Sequence, residues 1–119
     1  MTLGIKRQMG LLLMLTGGLH SVIGLMLFGG DLLPIVTGGI WDTIDKDQLG
    51  RQNAFWFMMF GFAIVMLGYM ADWIMKREAI APPPAFGWML LAVGGVGATI
   101  MPVSGFWLVL PQAWVLLRR

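Results

Sequence analysis

The sequence predicts an all-α, polytopic membrane protein: a four-helix transmembrane bundle with a short amphipathic segment between helices 1 and 2. Three observations predict it. First, 58% of the 119 residues are hydrophobic, mean hydropathy is +0.80, and only 12% are charged; a soluble domain carries about a quarter charged residues. Second, apolar runs long enough to cross a bilayer alternate with short polar breaks. Third, the basic residues stand largely as pairs beside those runs, at Lys6-Arg7, Lys76-Arg77 and Arg118-Arg119. That is the pattern of topology signals, not of a phosphate-binding stripe, so nucleic acid is excluded as a partner despite a pI near 9.5. The length suits one domain, 1–119. The absence of cysteine excludes disulfides, thiolate metal sites and thiol catalysis.

Helix 1 is expected over about 8–28. Lys6-Arg7 and the apolar stretch behind it mimic a signal peptide, but the apolar run continues to Phe28 with no small-residue cleavage site, so a retained span is expected. At 3.6 residues per turn Leu13, Thr16, Gly17, His20, Gly24 and Leu27 share one face, while Leu11, Leu15, Val22 and Leu25 point away. Small residues let helix backbones approach in membranes, so the face carrying His20 is expected to turn inward.

Gly29-Gly30-Asp31 is expected to end helix 1, with Pro34 and Gly38-Gly39 punctuating the chain after it. The segment 29–52 is the only hydrophilic one; Ile40, Trp41, Ile44 and Leu49 interleave with Asp42, Asp45, Lys46, Asp47 and Arg51. It reads either as a short amphipathic helix on the membrane surface or as a solvated loop. Helix 2 follows over about 53–75, with Asn53 as its cap, aromatic residues at both ends, and Asp72 placed to pair with Lys76 one turn on. Pro82-Pro83-Pro84 makes a stiff turn.

The last apolar run, 85–117, is too long for one span, and Met101-Pro102-Val103-Ser104-Gly105 offers the break. Helix 3 over about 86–100 and helix 4 over about 103–117 would form a hairpin. Gly87, Gly94 and Ala98 form a close-packing stripe on helix 3, and Pro111 should kink helix 4. With four spans, all three basic pairs fall on one side and 29–52 on the other. The positive-inside rule then places both termini in the cytoplasm.

His20 with Gly24, Ala54-Phe55-Trp56-Phe57, and the stretch from Met101 to Pro111 resemble a family of small four-helix bacterial membrane proteins, a domain of unknown function. Its most specific part is Pro102-Val103-Ser104-Gly105-Phe106-Trp107-Leu108. The resemblance covers nearly the whole chain and implies the fold and a bacterial inner membrane. It implies no activity.

His20 is the only histidine. An ionisable group at membrane depth is costly, so it is a functional-site candidate. It reads as a ring hydrogen-bonded to a threonine or backbone carbonyl, setting helix register, as a ligand contact or proton relay, or as a metal or haem ligand, for which one histidine is too few unless a dimer brings two together. Thr16, Gly24, Trp56, Trp107 and Gln112 are the residues expected to share a ligand site with it. Met59, Met66 and Met70 share a face of helix 2, and thioethers bind Cu(I), but methionine is also a flexible core filler. No metal or other cofactor is expected. A membrane-embedded acidic residue, as proton-coupled small multidrug exporters require, is missing at mid-depth.

Two functions follow. One is a non-enzymatic accessory or interaction protein whose glycine-rich faces pack on a second copy or on a larger membrane protein. The other is a bundle holding a small apolar ligand, a lipid or quinone, with His20 as polar contact. That second reading extends to a membrane-embedded enzyme or transporter.

Overall fold

The computed structural model describes residues 7–78, 80, 82–102 and 104–118. Lys6, Val103 and Arg119 lie outside them. Among the described residues the fold is all-α, in the order α1 (Met9–Thr37), α2 (Leu49–Arg77), α3 (Pro84–Ile100), a 3₁₀ turn (Gly105–Leu108) and α4 (Val109–Leu117). These form two compact units. Unit 1 is 1–14 with 66–119, and unit 2 is 15–65.

Helix α1 runs nine residues past its expected end. Gly29 and Gly30 meet no neighbouring atoms and do not stop it, and Pro34 is accommodated inside it. Glycine costs a helix only about 1 kcal/mol, which an otherwise apolar run absorbs. The true stop is Gly39, at φ +100°. Ile40 N–H donates to the Ile35 carbonyl at 3.0 Å and Gly39 N–H to that of Val36 at 3.2 Å. This six-to-one and five-to-two pair is a Schellman motif, which needs a left-handed residue at the position of Gly39.

Of the two readings of the segment between the first two helices, the loop is the one found: 38–48 is a turn-rich connection, and the rest of 29–52 belongs to α1 and α2. Asn53 does not cap α2, which begins four residues earlier. Asp45 N–H donates to Gln48 Oε1 at 2.9 Å in the turn just before the helix, and Gln52 Nε2 donates to the Asp45 and Lys46 carbonyls at 3.0 Å. Arg51 donates to the Thr43 carbonyl at 2.7 Å, tying the connection to the first turn of α2. These polar side chains satisfy backbone groups that an extra helix would otherwise have satisfied.

Helices α1 and α2 have 29 residues each, about 43 Å of helix against roughly 30 Å of hydrocarbon. Both are long and apolar enough to cross a membrane, and only 17% and 22% of their most apolar windows are buried by the protein. A soluble core helix would be covered on most faces; these present leucine, methionine and phenylalanine outward. Helix α3, with 17 residues, is about 25 Å long, and the 3₁₀ turn plus α4 is shorter still. The length criterion therefore holds for two helices, not four.

In unit 1 the start of α1 packs on the end of α2 through glycine. A Cβ on Gly10 would overlap the Asp72 backbone, and one on Gly68 would lie 2.6 Å from Met14 N. Met9, Met75 and Leu116 make a buried cluster, with Ala71, Phe86, Leu90 and Val115 against it. That cluster brings the start of α1 and the ends of α2 and α4 to one place. Asp72 pairs with Lys76 at 2.8 Å, as the spacing predicts, a partly exposed contact worth under about 1 kcal/mol.

Helix α3 and α4 form the expected hairpin. Gly87, Gly94 and Ala98 are buried. Gly87 meets Leu116 and Leu117, Gly94 meets Val109 and Leu110, and Gly97 lies against the Phe106 ring. The expected start of helix 4, Val103, lies outside the described residues, and helix 4 is not a single α-helix kinked at Pro111. A 3₁₀ turn fills 105–108, opened by Ser104, whose hydroxyl accepts from Phe106 N–H. Pro111 then falls in the first turn of α4, where a missing N–H costs little. A Cβ at Gly94 would lie 3.2–3.4 Å from Leu110 and Val109 side chains. Gly94→Ala should thus be tolerated with a small loss, whereas Gly94→Leu should lower the folded fraction in detergent. Equal thermal stability of the two variants would mean this face does not pack.

Candidate functional site

Within unit 2 the two helices run antiparallel, and the contact is made by small residues. A Cβ at Gly17 would sit 2.8 Å from both the Gly61 carbonyl oxygen and Val65 N. A Cβ at Gly24 would sit 2.7–2.9 Å from Met58 Sδ and the Phe57 ring. The backbones approach so closely that side chains on this seam have little room.

His20 lies between those glycines. Its Nε2 is 2.9 Å from the Phe57 carbonyl oxygen. A carbonyl only accepts, so Nε2 carries the proton and donates it. The imidazole also stacks on the Phe57 ring, centroids 3.8 Å apart and planes 14° apart, and meets Phe60 edge-on at 5.5 Å. Phe28 extends the aromatic group by a tilted contact with Phe57 at 5.1 Å. The inward face of α1 therefore continues from Gly24 to half-buried Phe28, not to Leu27, which is exposed.

Gly61 makes this arrangement possible. A Cβ there would lie 2.5 Å from Ser21 Oγ and 2.9 Å from His20 Cδ2. The missing methyl is the gap through which the imidazole reaches a carbonyl one turn back on α2. Ser21 in turn donates to the Gly17 carbonyl at 2.9 Å, so its hydroxyl is spent inside α1.

The other expected site residues are divided between the two units. Thr16, half-buried, and Gly24, buried, lie on the His20 side of α1. Trp56 is two-thirds exposed and meets Phe55 edge-to-face at 5.3 Å. Trp107 and Gln112 belong to unit 1. Trp107 is exposed, and its indole N–H donates to the Pro102 carbonyl at 2.7 Å, closing the hairpin turn. Gln112 is buried and its amide donates to the Leu108 carbonyl at 3.1 Å. Trp107 thus closes the hairpin turn and Gln112 spans the 3₁₀-to-α junction. Met59, Met66 and Met70 are all exposed. Among the described residues no three His, Asp or Glu side chains cluster as a metal site would need.

One contact was not foreseen. Asp31, expected to terminate helix 1, projects from α1 onto the first turn of α2, its Oδ1 2.6 Å from where a Gly50 Cβ would be. A carboxylate there faces the positive end of the α2 dipole. The signal becomes readable only once Gly24 is known to face Phe57: seven residues on along α1 and seven back along α2 bring 31 to 50.

Residues 4–119 match a family of unknown function (DUF6463). The chain belongs to that family. No curated protein and no solved structure matches it.

Proposed function

We propose that this chain is a multi-pass protein of the bacterial inner membrane that works by contact, as an accessory or interaction partner. The observation that carries the reading is where the histidine proton goes. His20 spends its Nε2–H on a backbone carbonyl of its own chain and one ring face on Phe57. A ring held this way sets the register of α1 against α2. The glycine seam and the aromatic contacts around it are packing devices of the same kind.

The membrane setting is supported by the outward apolar faces of α1 and α2 and by charge. Among the described residues unit 1 holds four basic and two acidic residues, and unit 2 two basic and four acidic. With α1 and α2 crossing, the acidic connection lies outside and the basic end of unit 1 in the cytoplasm. The α3–α4 hairpin crosses a locally thinned bilayer or dips in and returns. Either path brings Arg118 back to the side of Arg77. Cysteines placed at Asp45 and Arg118 should label from opposite sides of the membrane with an impermeant maleimide; labelling from one side would remove this topology.

The contact role is tested by purifying the chain from its native membrane in mild detergent and identifying what comes with it. The expected companion is a second copy or a larger membrane protein. A stoichiometric quinone or lipid, lost on His20→Leu with the fold intact, would instead make His20 a ligand contact.

A further inference from the structure

The end of unit 1 gathers positive charge from three separate parts of the chain. Met9, Met75 and Leu116 touch in one buried cluster. Arg7 stands two residues before the first, Lys76-Arg77 directly after the second, and Arg118 two residues after the third. Beside them is an open depression lined by Asp72, Trp73, Lys76 and Arg77. Lys76 is engaged with Asp72. Arg7, Arg77 and Arg118 are exposed, and none of their side chains makes an ion pair or hydrogen bond among the described residues. Glu78 is the one other acidic residue at this end. Trp73 is partly exposed within the depression, and exposed tryptophans near the ends of membrane-crossing helices meet headgroups.

We propose that this basic end binds the headgroup of an anionic phospholipid, its phosphate seated in the depression over Arg77 with Trp73 beside it and Arg7 closing the site. The proposal rests on the membrane reading above. Arginine suits the role because its planar fork gives two parallel hydrogen bonds to one phosphate. The ion pair between Asp72 and Lys76 neutralises the only carboxylate lining the depression, so the net field that the phosphate meets is that of the arginines. The leaflet facing this end is the one whose anionic lipids attract juxtamembrane basic residues.

The test is native mass spectrometry of the full chain in detergent, titrated with phosphatidylglycerol or phosphatidylcholine. Phosphatidylglycerol should bind in preference. Arg77→Gln and Arg7→Gln should each weaken it about fivefold, the equivalent of the roughly 1 kcal/mol one basic residue contributes near an anionic surface. Lys46→Gln, in the connection between α1 and α2, should leave binding unchanged. Equal binding of the two lipids, or unchanged phosphatidylglycerol binding by the Arg7→Gln/Arg77→Gln double variant, would overturn the proposal. Inorganic phosphate that protects the chain against heat as well as phosphatidylglycerol does would assign the site to a free phosphate and also overturn it. Membrane retention after alkaline extraction is scored separately. A chain released by that treatment defeats the membrane reading, whereas a retained chain with no anionic preference defeats only the lipid site.

Discussion

Gly17→Leu should break the pairing of α1 with α2 in unit 2 and produce the largest loss of stability of any single change on that seam. The new Cβ would fall 2.8 Å from the Gly61 carbonyl oxygen and Val65 N. Neither is a side chain that can rotate away, so the helices must separate. Overpacking typically costs 1–3 kcal/mol and occasionally more; a backbone obstacle puts Gly17 at the upper end. Separation also strips the van der Waals contact that holds helices together in lipid, where no hydrophobic force replaces it. Gly18 is the internal control, because a side chain there meets nothing within 4 Å. Gly18→Ala should be neutral or gain up to about 1 kcal/mol from helix propensity. Thermal unfolding of the purified variants in detergent, followed by circular dichroism, checks both. A Gly17→Leu protein melting with the Gly18→Ala protein would contradict the seam.

His20→Leu should fold but melt earlier. The variant loses a hydrogen bond worth about 0.5–1.5 kcal/mol net and an aromatic stack worth a similar amount, together about 1–3 kcal/mol. The loss stays moderate because no buried polar group is orphaned: the Phe57 carbonyl keeps its place in the α2 ladder. His20→Gln separates the two contributions. A glutamine amide carries a donor near the position of Nε2, so it can restore the bond to Phe57 without the stack. The expected order of melting temperatures is wild type, then Gln, then Leu. Identical melting of all three would mean the imidazole adds nothing to the helix pair and would return His20 to the list of ligand contacts.

Legibility divided along a physical line. Hydropathy and charge are local properties, and what they report was readable: the apolar runs, the all-α class, the Asp72–Lys76 pair, the hairpin with its buried Gly87, Gly94 and Ala98, and the inward face holding His20. Helix ends were read less well because glycine is ambiguous. Gly29-Gly30 and Gly38-Gly39 look alike as dipeptides. In the structure, of these four glycines only Gly39 takes a positive φ, and the Schellman bonds to the Ile35 and Val36 carbonyls form there. The start of α2 is hard to read for a related reason: Asn53 is a good capping residue by type, yet the helix opens at Leu49, behind a turn closed by the Asp45 N–H bond to Gln48. The donors of Trp107 and Gln112 go to the Pro102 carbonyl in the hairpin turn and to the Leu108 carbonyl at the 3₁₀-to-α junction, local bonds that residue type alone does not announce.

Composition and apolar run length were by themselves enough to determine that this chain is helical and largely apolar on its surface. Those properties survive any arrangement of the helices, since each depends on residues within a turn or two of one another. Tertiary structure decided which carbonyl His20 would reach, that Asp31 would lie over the α2 N-terminus, and that Arg7, Arg77 and Arg118 would stand at one end of unit 1. Each of those depends on register between distant segments. Register is set by close backbone approach at Gly10, Gly17, Gly61 and Gly68, where the missing side chain of one helix leaves room for the backbone or polar group of the other.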